Sequence, residues 1–122
     1  DGHKETGINI QKITAYIDKK FASPLSLTGI AEEFAVNPTY LSARFREITG
    51  TNFIKYLTNR RMEEAKLLLA KGYKVSKTCE AVGYSHYRYF CDVFKKQTGL
   101  TPAEYRATTA AEAGFDEEEA HE

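Results

Sequence analysis

Ala31-Glu32-Glu33-Phe34-Ala35-Val36 returns 48 positions later as Cys79-Glu80-Ala81-Val82-Gly83-Tyr84. From Tyr40 onward the match continues at an offset of 49, pairing Tyr40-Leu41 with Tyr89-Phe90 and Phe45-Arg46 with Phe94-Lys95. Thr49-Gly50 pairs with Thr98-Gly99 and Tyr56 with Tyr105 at the same offset. The second copy therefore holds one extra residue between its halves, where a turn absorbs it. A repeat of this period marks one supersecondary unit used more than once. Each unit reads as a short helix, a tight turn and a second helix.

Working outward, Ile8, Ile10, Ile13, Ile17 and Phe21 fall near helical spacing and predict a first helix over 8–21, ended by Ser23-Pro24. Ser26 caps a second helix over 27–34 with Ile30, Ala31 and Phe34 inward. Ala35-Val36 turns the chain. Asn37 and Pro38 suit the cap and first position of a third helix over 38–48, which buries Leu41, Phe45 and Ile48 and stops at Gly50. A longer helix over 52–70 carries an apolar stripe of Phe53, Leu57, Ala65, Leu68 and Leu69 and closes at Gly72. The second copy follows with a helix over 75–82, a turn through Gly83-Tyr84 and a helix over 86–97 capped by Ser85. Phe90, Val93 and Phe94 face inward there, and Gly99 stops it. Thr101-Pro102 opens a last short helix through Tyr105. Neither a strand nor a phosphate-binding glycine loop is signalled, so the chain reads as all-α with about seven helices.

The sequence has 122 residues, of which 42% are hydrophobic and 28% charged, which suits one compact domain or two small subdomains sharing a long element. The expected organisation is an unstructured segment over 1–7, a first unit over 8–50, a linker helix over 52–70, a second unit over 74–107 and an acidic, unstructured tail over 108–122. No apolar run approaches the length that spans a bilayer. The opening Asp1-Gly2-His3-Lys4 lacks a Met, which suggests a fragment of a longer protein or a tag remnant. Two cysteines, Cys79 and Cys91, make no disulfide framework and fit a reducing cytoplasm. The net charge of zero conceals an asymmetry. All 17 Lys and Arg lie within residues 1–106, whereas Glu112, Asp116, Glu117, Glu118, Glu119 and Glu122 follow, so residues 1–106 carry +6. A basic body is the electrostatic footprint of a polyanion partner. The acidic tail either competes with that partner or is inert.

A major groove admits one α-helix, and in a helix-turn-helix the second helix presents its N-terminal turns to base edges. Ala31 and Cys79 are small enough for the close contact between the paired helices. Nineteen linker residues at about 1.5 Å each span roughly 28 Å, and with the offset of each reading helix this approaches one duplex turn of about 34 Å. Two units so joined are expected to enter successive major grooves of double-stranded DNA.

Asn37-Pro38-Thr39-Tyr40-Leu41-Ser42-Ala43-Arg44-Phe45 and Val82-Gly83-Tyr84-Ser85-His86-Tyr87-Arg88-Tyr89-Phe90-Cys91-Asp92-Val93-Phe94-Lys95-Lys96 resemble the AraC/XylS family of transcription regulators. Thr98-Gly99-Leu100-Thr101-Pro102-Ala103-Glu104-Tyr105-Arg106 is similar to that family's C-terminal signature. The likeness covers residues 8–107 and is closest in style to the output domains of receiver-linked response regulators. It implies two helix-turn-helix units that bind DNA beside RNA polymerase, usually as an activator; separately, the residues signal no nucleophile, metal or cofactor site, so no enzymatic activity and no cofactor are expected. By position, the first reading helix would offer Thr39, Ser42, Ala43 and Arg46 to DNA, and the second Tyr87, Arg88, Cys91 and Asp92. Asn37, Arg44, Ser85, His86, Lys95 and Lys96 are candidates for phosphate contact. Family members often carry a large polar side chain where Ala43 stands, Arg where Asp92 stands, and Ser or Thr where Cys91 stands.

Chemistry leaves each candidate two readings. Arg88 can grip guanine with two hydrogen bonds, or pair with a phosphate or with Asp92. Asp92 can accept from a cytosine amino group, or be tied to Arg88 one turn earlier. Thr39 and Ser42 can touch a thymine methyl, a base edge or a phosphate, or nothing. Tyr87 can bond a phosphate, or cover the turn. Arg61 is expected to hold an internal ion pair to the first unit. His3, His86 and His121 are too dispersed for zinc, and no nucleophile and base are paired. The rival reading keeps the fold and makes these helix faces dock a partner protein. Without a partner, the isolated domain is expected to be a monomer, with dimerisation left to a missing N-terminal region.

Overall fold

The computed structural model describes residues 9–113. Among them the chain forms seven helices and no strand: α1 Ile10–Lys20, α2 Leu27–Glu33, α3 Pro38–Thr49, α4 Phe53–Ala70, α5 Val75–Ala81, α6 Tyr87–Thr98 and α7 Pro102–Ala113. The all-α expectation holds, and the repeat is visible in the helix bounds. α5 follows α2 by 48 residues at both ends, and α6 follows α3 by 49. Four residues join α2 to α3 and five join α5 to α6, so the turn absorbs the extra residue.

Short polar side chains start the helices. Asn9, Ser26, Asn37, Asn52 and Thr101 each accept from a backbone N–H of the first turn that lacks an intrahelical partner, at 2.8–3.1 Å. At α7 the arrangement is reciprocal, because the Thr101 N–H also donates to Glu104 Oε1 at 3.0 Å. The second copy departs from expectation at α6. Its N-cap is His86, whose side chain makes no capping bond, and not Ser85. The offset of 49 explains this, since His86 is the counterpart of Asn37 and Ser85 is the extra residue of the turn. Ser85 Oγ instead lies 3.2 Å from His86 Nδ1.

The turn inside each unit closes in the same way. Val36 N donates to Ala31 O at 2.9 Å, and Tyr84 N to Cys79 O at 3.0 Å. Bonds of this kind require a left-handed residue just after the helix. Gly83 supplies it at φ 98°, and Ala35 occupies the same conformation at φ 58°. The far ends of α3 and α6 also match. Thr49 Oγ1 bonds the carbonyls of Phe45 and Thr51 at 2.8 and 2.9 Å, and Thr98 Oγ1 those of Phe94 and Leu100 at 2.9 and 3.0 Å.

Contacts divide the chain into two units between Arg60 and Arg61, inside α4. The first unit buries Ile10, Ile13, Ile17, Ile30, Ala31, Leu41, Phe45, Phe53 and Leu57 in one cluster. Phe45 meets Phe53 and Tyr56 edge-on at 6.2 and 5.3 Å between ring centres. In the second unit Met62, Ala65, Leu69, Cys79, Val82, Tyr84, Phe90 and Phe94 are buried. Phe94 meets Tyr105 edge-on at 5.4 Å, repeating the Phe45–Tyr56 pair. Arg106 donates to the Gly72 carbonyl through Nε and a terminal nitrogen at 3.2 and 3.1 Å, fastening α7 to the end of α4.

Several expectations change. Ile48 is 51% exposed rather than buried. α3 has twelve residues and its partner α2 seven, so the last turn of α3 outruns its packing. Val93 and Leu68 are half-buried, and Met62 joins the core unannounced. Arg60 on α4 pairs with α1: its Nε lies 3.4 Å from Asp18 Oδ1 and its guanidinium sits over Phe21. Arg61, one step around the helix, places its guanidinium over the Tyr84 ring of the second unit at 5.2 Å. α7 runs past Tyr105 to Ala113, so residues 108–113 are helical. Residues 1–8 and 114–122 lie outside the described residues, and with them the expected unstructured lead, Ile8, and the acids from Asp116 to Glu122.

Candidate nucleic-acid interface

α3 and α6 each separate a buried stripe from an exposed one. On α3, Leu41 and Phe45 are fully buried, while Thr39, Ser42, Ala43 and Arg46 stand exposed at spacings of three and four. That spacing puts the four on one face. The same face of α6 carries Arg88, Cys91, Asp92 and Lys95, opposite buried Phe90 and Phe94. All of these except half-buried Cys91 are exposed. Tyr87, at the first position of α6, is 52% exposed. The structure thus brings the base-contact candidates of each unit onto one helix face.

The phosphate candidates divide. Asn37 spends its side-chain oxygen on capping α3. Arg44 is held by Glu47, Nη1 to Oε1 at 3.0 Å. Ser85 and His86 contact one another at the exposed start of α6. Lys95 and Lys96 lie exposed in its last turns, where cations also suit the helix dipole.

Arg88 and Asp92 stand about one helical turn apart on α6. Among the described residues no ion pair joins them, although four residues separate them. Cys91 lies near both charges. Burial raises its thiol above the ordinary value of 9.0. A hydrogen bond with Tyr87 opposes this, Asp92 adds to it and Arg88 opposes it. Tyr87 is raised above 10.0 by burial, then by the charge of Cys91 and by the hydrogen bond with it. Cys79 donates to the Tyr84 carbonyl at 3.4 Å. Its thiol is raised by burial, then by Cys91 and Glu80. At neutral pH the two thiols and the phenol are therefore uncharged. Both cysteines are free thiols. Among the described residues there is no group of three metal-ligating side chains and no helix long and apolar enough to cross a membrane.

Two residues that fasten one helix to another element were missed as such in the sequence. Arg60 ties α4 to α1 through Asp18, and Arg106 ties α7 to Gly72. Neither belongs to a local pattern that announces its partner, which lies 34 residues away for Arg106.

Two short helices packed through a small residue, with an exposed second helix, define each unit as a helix-turn-helix. The chain belongs to the AraC-type helix-turn-helix family, and the family model described as "Helix-turn-helix domain" matches residues 30–108. It is 41% identical over 98 residues to YijO of Escherichia coli, an uncharacterized HTH-type transcriptional regulator. That match covers 79% of this chain and 34% of YijO, so the chain spans about a third of the relative's length. The C-terminal domain of AraT, a response regulator from Geobacillus stearothermophilus, is 38% identical, with a TM-score of 0.78 over 81% of this chain and 84% of that one. The DNA-binding domain of AdpA, a global transcriptional factor solved with a target DNA, shares the fold at 22% identity, with a TM-score of 0.81 over 88% of this chain and 97% of that one.

Proposed function

We propose that this chain is the sequence-specific, double-stranded DNA-binding domain of a bacterial transcription activator. α3 and α6 each enter a major groove, in successive grooves of one duplex. The repeated exposed face carries this reading: two helices, each with a buried aromatic stripe behind it, present Thr39, Ser42, Ala43 and Arg46, and Arg88, Cys91, Asp92 and Lys95. The basic body of residues 1–106 suits the phosphate backbone.

The likeness to a response-regulator output domain supports a place downstream of a phosphorylated receiver in a two-component system. In that role the domain acts in the cytoplasm, binds as a monomer unless a further domain dimerises it, and activates by contact with RNA polymerase. Fluorescence anisotropy against fragments of the source genome tests the central claim. The expected result is a subset of fragments bound at least about a thousandfold more tightly than bulk DNA at physiological salt. Uniform weak binding at every salt concentration removes it.

A further inference from the structure

The two reading helices are built alike and armed differently. At the offset of 49, Thr39 corresponds to Arg88, Ser42 to Cys91 and Ala43 to Asp92. In its first turns the α3 face therefore offers short side chains where α6 offers a cation and an anion, and further along both faces carry a cation, Arg46 and Lys95. Short hydroxyls and methyls reach a thymine methyl or a single base edge, which discriminates weakly. A guanidinium can satisfy both guanine acceptors in the major groove, and a carboxylate accepts from the cytosine amino group.

The position of Asp92 makes the asymmetry informative. A carboxylate on a groove-facing helix repels phosphates, so its presence there needs a donor on the DNA or in the protein. Among the described residues Arg88 does not supply one, since no ion pair joins the two. On α3 the one Arg with a carboxylate partner in its own helix is Arg44, held by Glu47. Arg88 and Asp92 are both exposed, and both lie in the first half of α6. Four residues advance about 6 Å along the helix, or one to two base-pair steps.

Resting on the DNA-binding reading above, we propose a division of labour. α6 is the discriminating helix: Arg88 reads a guanine and Asp92 a cytosine one or two steps away. α3 holds the domain on its half-site with little demand on sequence. The target is thus an asymmetric site with G·C pairs fixed in one half and a permissive other half.

Selection of bound duplexes from a random library tests this, using the whole chain as wild type, Arg88→Ala, Asp92→Asn and Thr39→Ala, with circular dichroism confirming the fold of each. The wild type should enrich a motif with one guanine column and one cytosine column in a single half-site. Arg88→Ala should relax the guanine column, reducing discrimination there about 10- to 100-fold. Asp92→Asn should exchange cytosine for adenine, the base that an amide side chain reads. Thr39→Ala should leave both columns in place. A motif unchanged in Arg88→Ala, with affinity reduced equally on all sequences, would assign Arg88 to a phosphate and overturn the proposal. An unchanged cytosine column in Asp92→Asn overturns it as well. A wild type that enriches no sequence would instead remove the DNA-binding reading on which the proposal rests.

Discussion

Ala35 does the work of a glycine. It holds φ 58° at the position where the second unit has Gly83 at φ 98°. A Cβ in the left-handed region costs about 1–2 kcal/mol, partly offset by the lower entropy of unfolded Ala. Ala35→Gly should raise stability by about 0.5–1 kcal/mol and Gly83→Ala should lower it by about 1 kcal/mol, read as opposite shifts of the urea midpoint at constant slope. Cys79 gives a second prediction. Its folded pKa lies above the ordinary 9.0 because burial disfavours the thiolate. The native state therefore holds the proton more tightly than the unfolded chain. That contribution is complete below pH 9 and is lost as pH rises through the folded value. Cys79→Ala, which installs the residue found at position 31, should flatten the fall in melting temperature between neutral pH and pH 10. At this scale the sequence was legible wherever a residue acts through its own backbone. Asn37, Gly50 and Gly99 were readable because capping and positive φ are local properties. Ile48 was misread because burial depends on where the neighbouring helix stops.

The helix starts show what repetition does and does not conserve. Asn37 caps α3, whereas its counterpart His86 leaves α6 without a side-chain cap. His86→Asn should therefore stabilise the second unit by about 1 kcal/mol, seen in thermal melts. Thr101→Ala, which removes half of the reciprocal cap of α7, should cost about 1 kcal/mol in the same assay. The bounds of the repeated helices were legible to within two residues because two copies of one pattern constrain each other, whereas α7, whose end has no counterpart in the pattern, runs eight residues past the expected stop at Tyr105. The placement of the cap at Ser85 failed because the extra residue of the second turn was assigned to the wrong side of it. The candidate site was legible as two faces. Their difference became informative only when Arg88 and Asp92 proved unpaired with each other, which spacing alone does not decide.

At the scale of the molecule, the charge of the proposed DNA-binding faces predicts how affinity responds to salt. If Lys95 and Lys96 meet phosphates, each Lys→Ala change should reduce the slope of log affinity against log salt by about 0.9 while leaving the preferred sequence intact. Anisotropy titrations over a range of salt concentrations measure this. A change in preferred sequence instead would place these lysines against bases. The acidic segment after Ala113 was readable only as composition, because nothing in its pattern names a surface for it to meet.

α4 has two employers. Phe53 and Leu57 belong to the core of the first unit, and Met62, Ala65 and Leu69 are buried beyond the boundary between Arg60 and Arg61. Anyone exchanging units between relatives to build a chimaera with a hybrid operator would look first for a loop in which to splice. Here the loops are the wrong place: a crossover at Gly50 or Gly72 strips one recipient of a wall. The junction that leaves each half with its own lining is a cut through the middle of a helix, between two arginines.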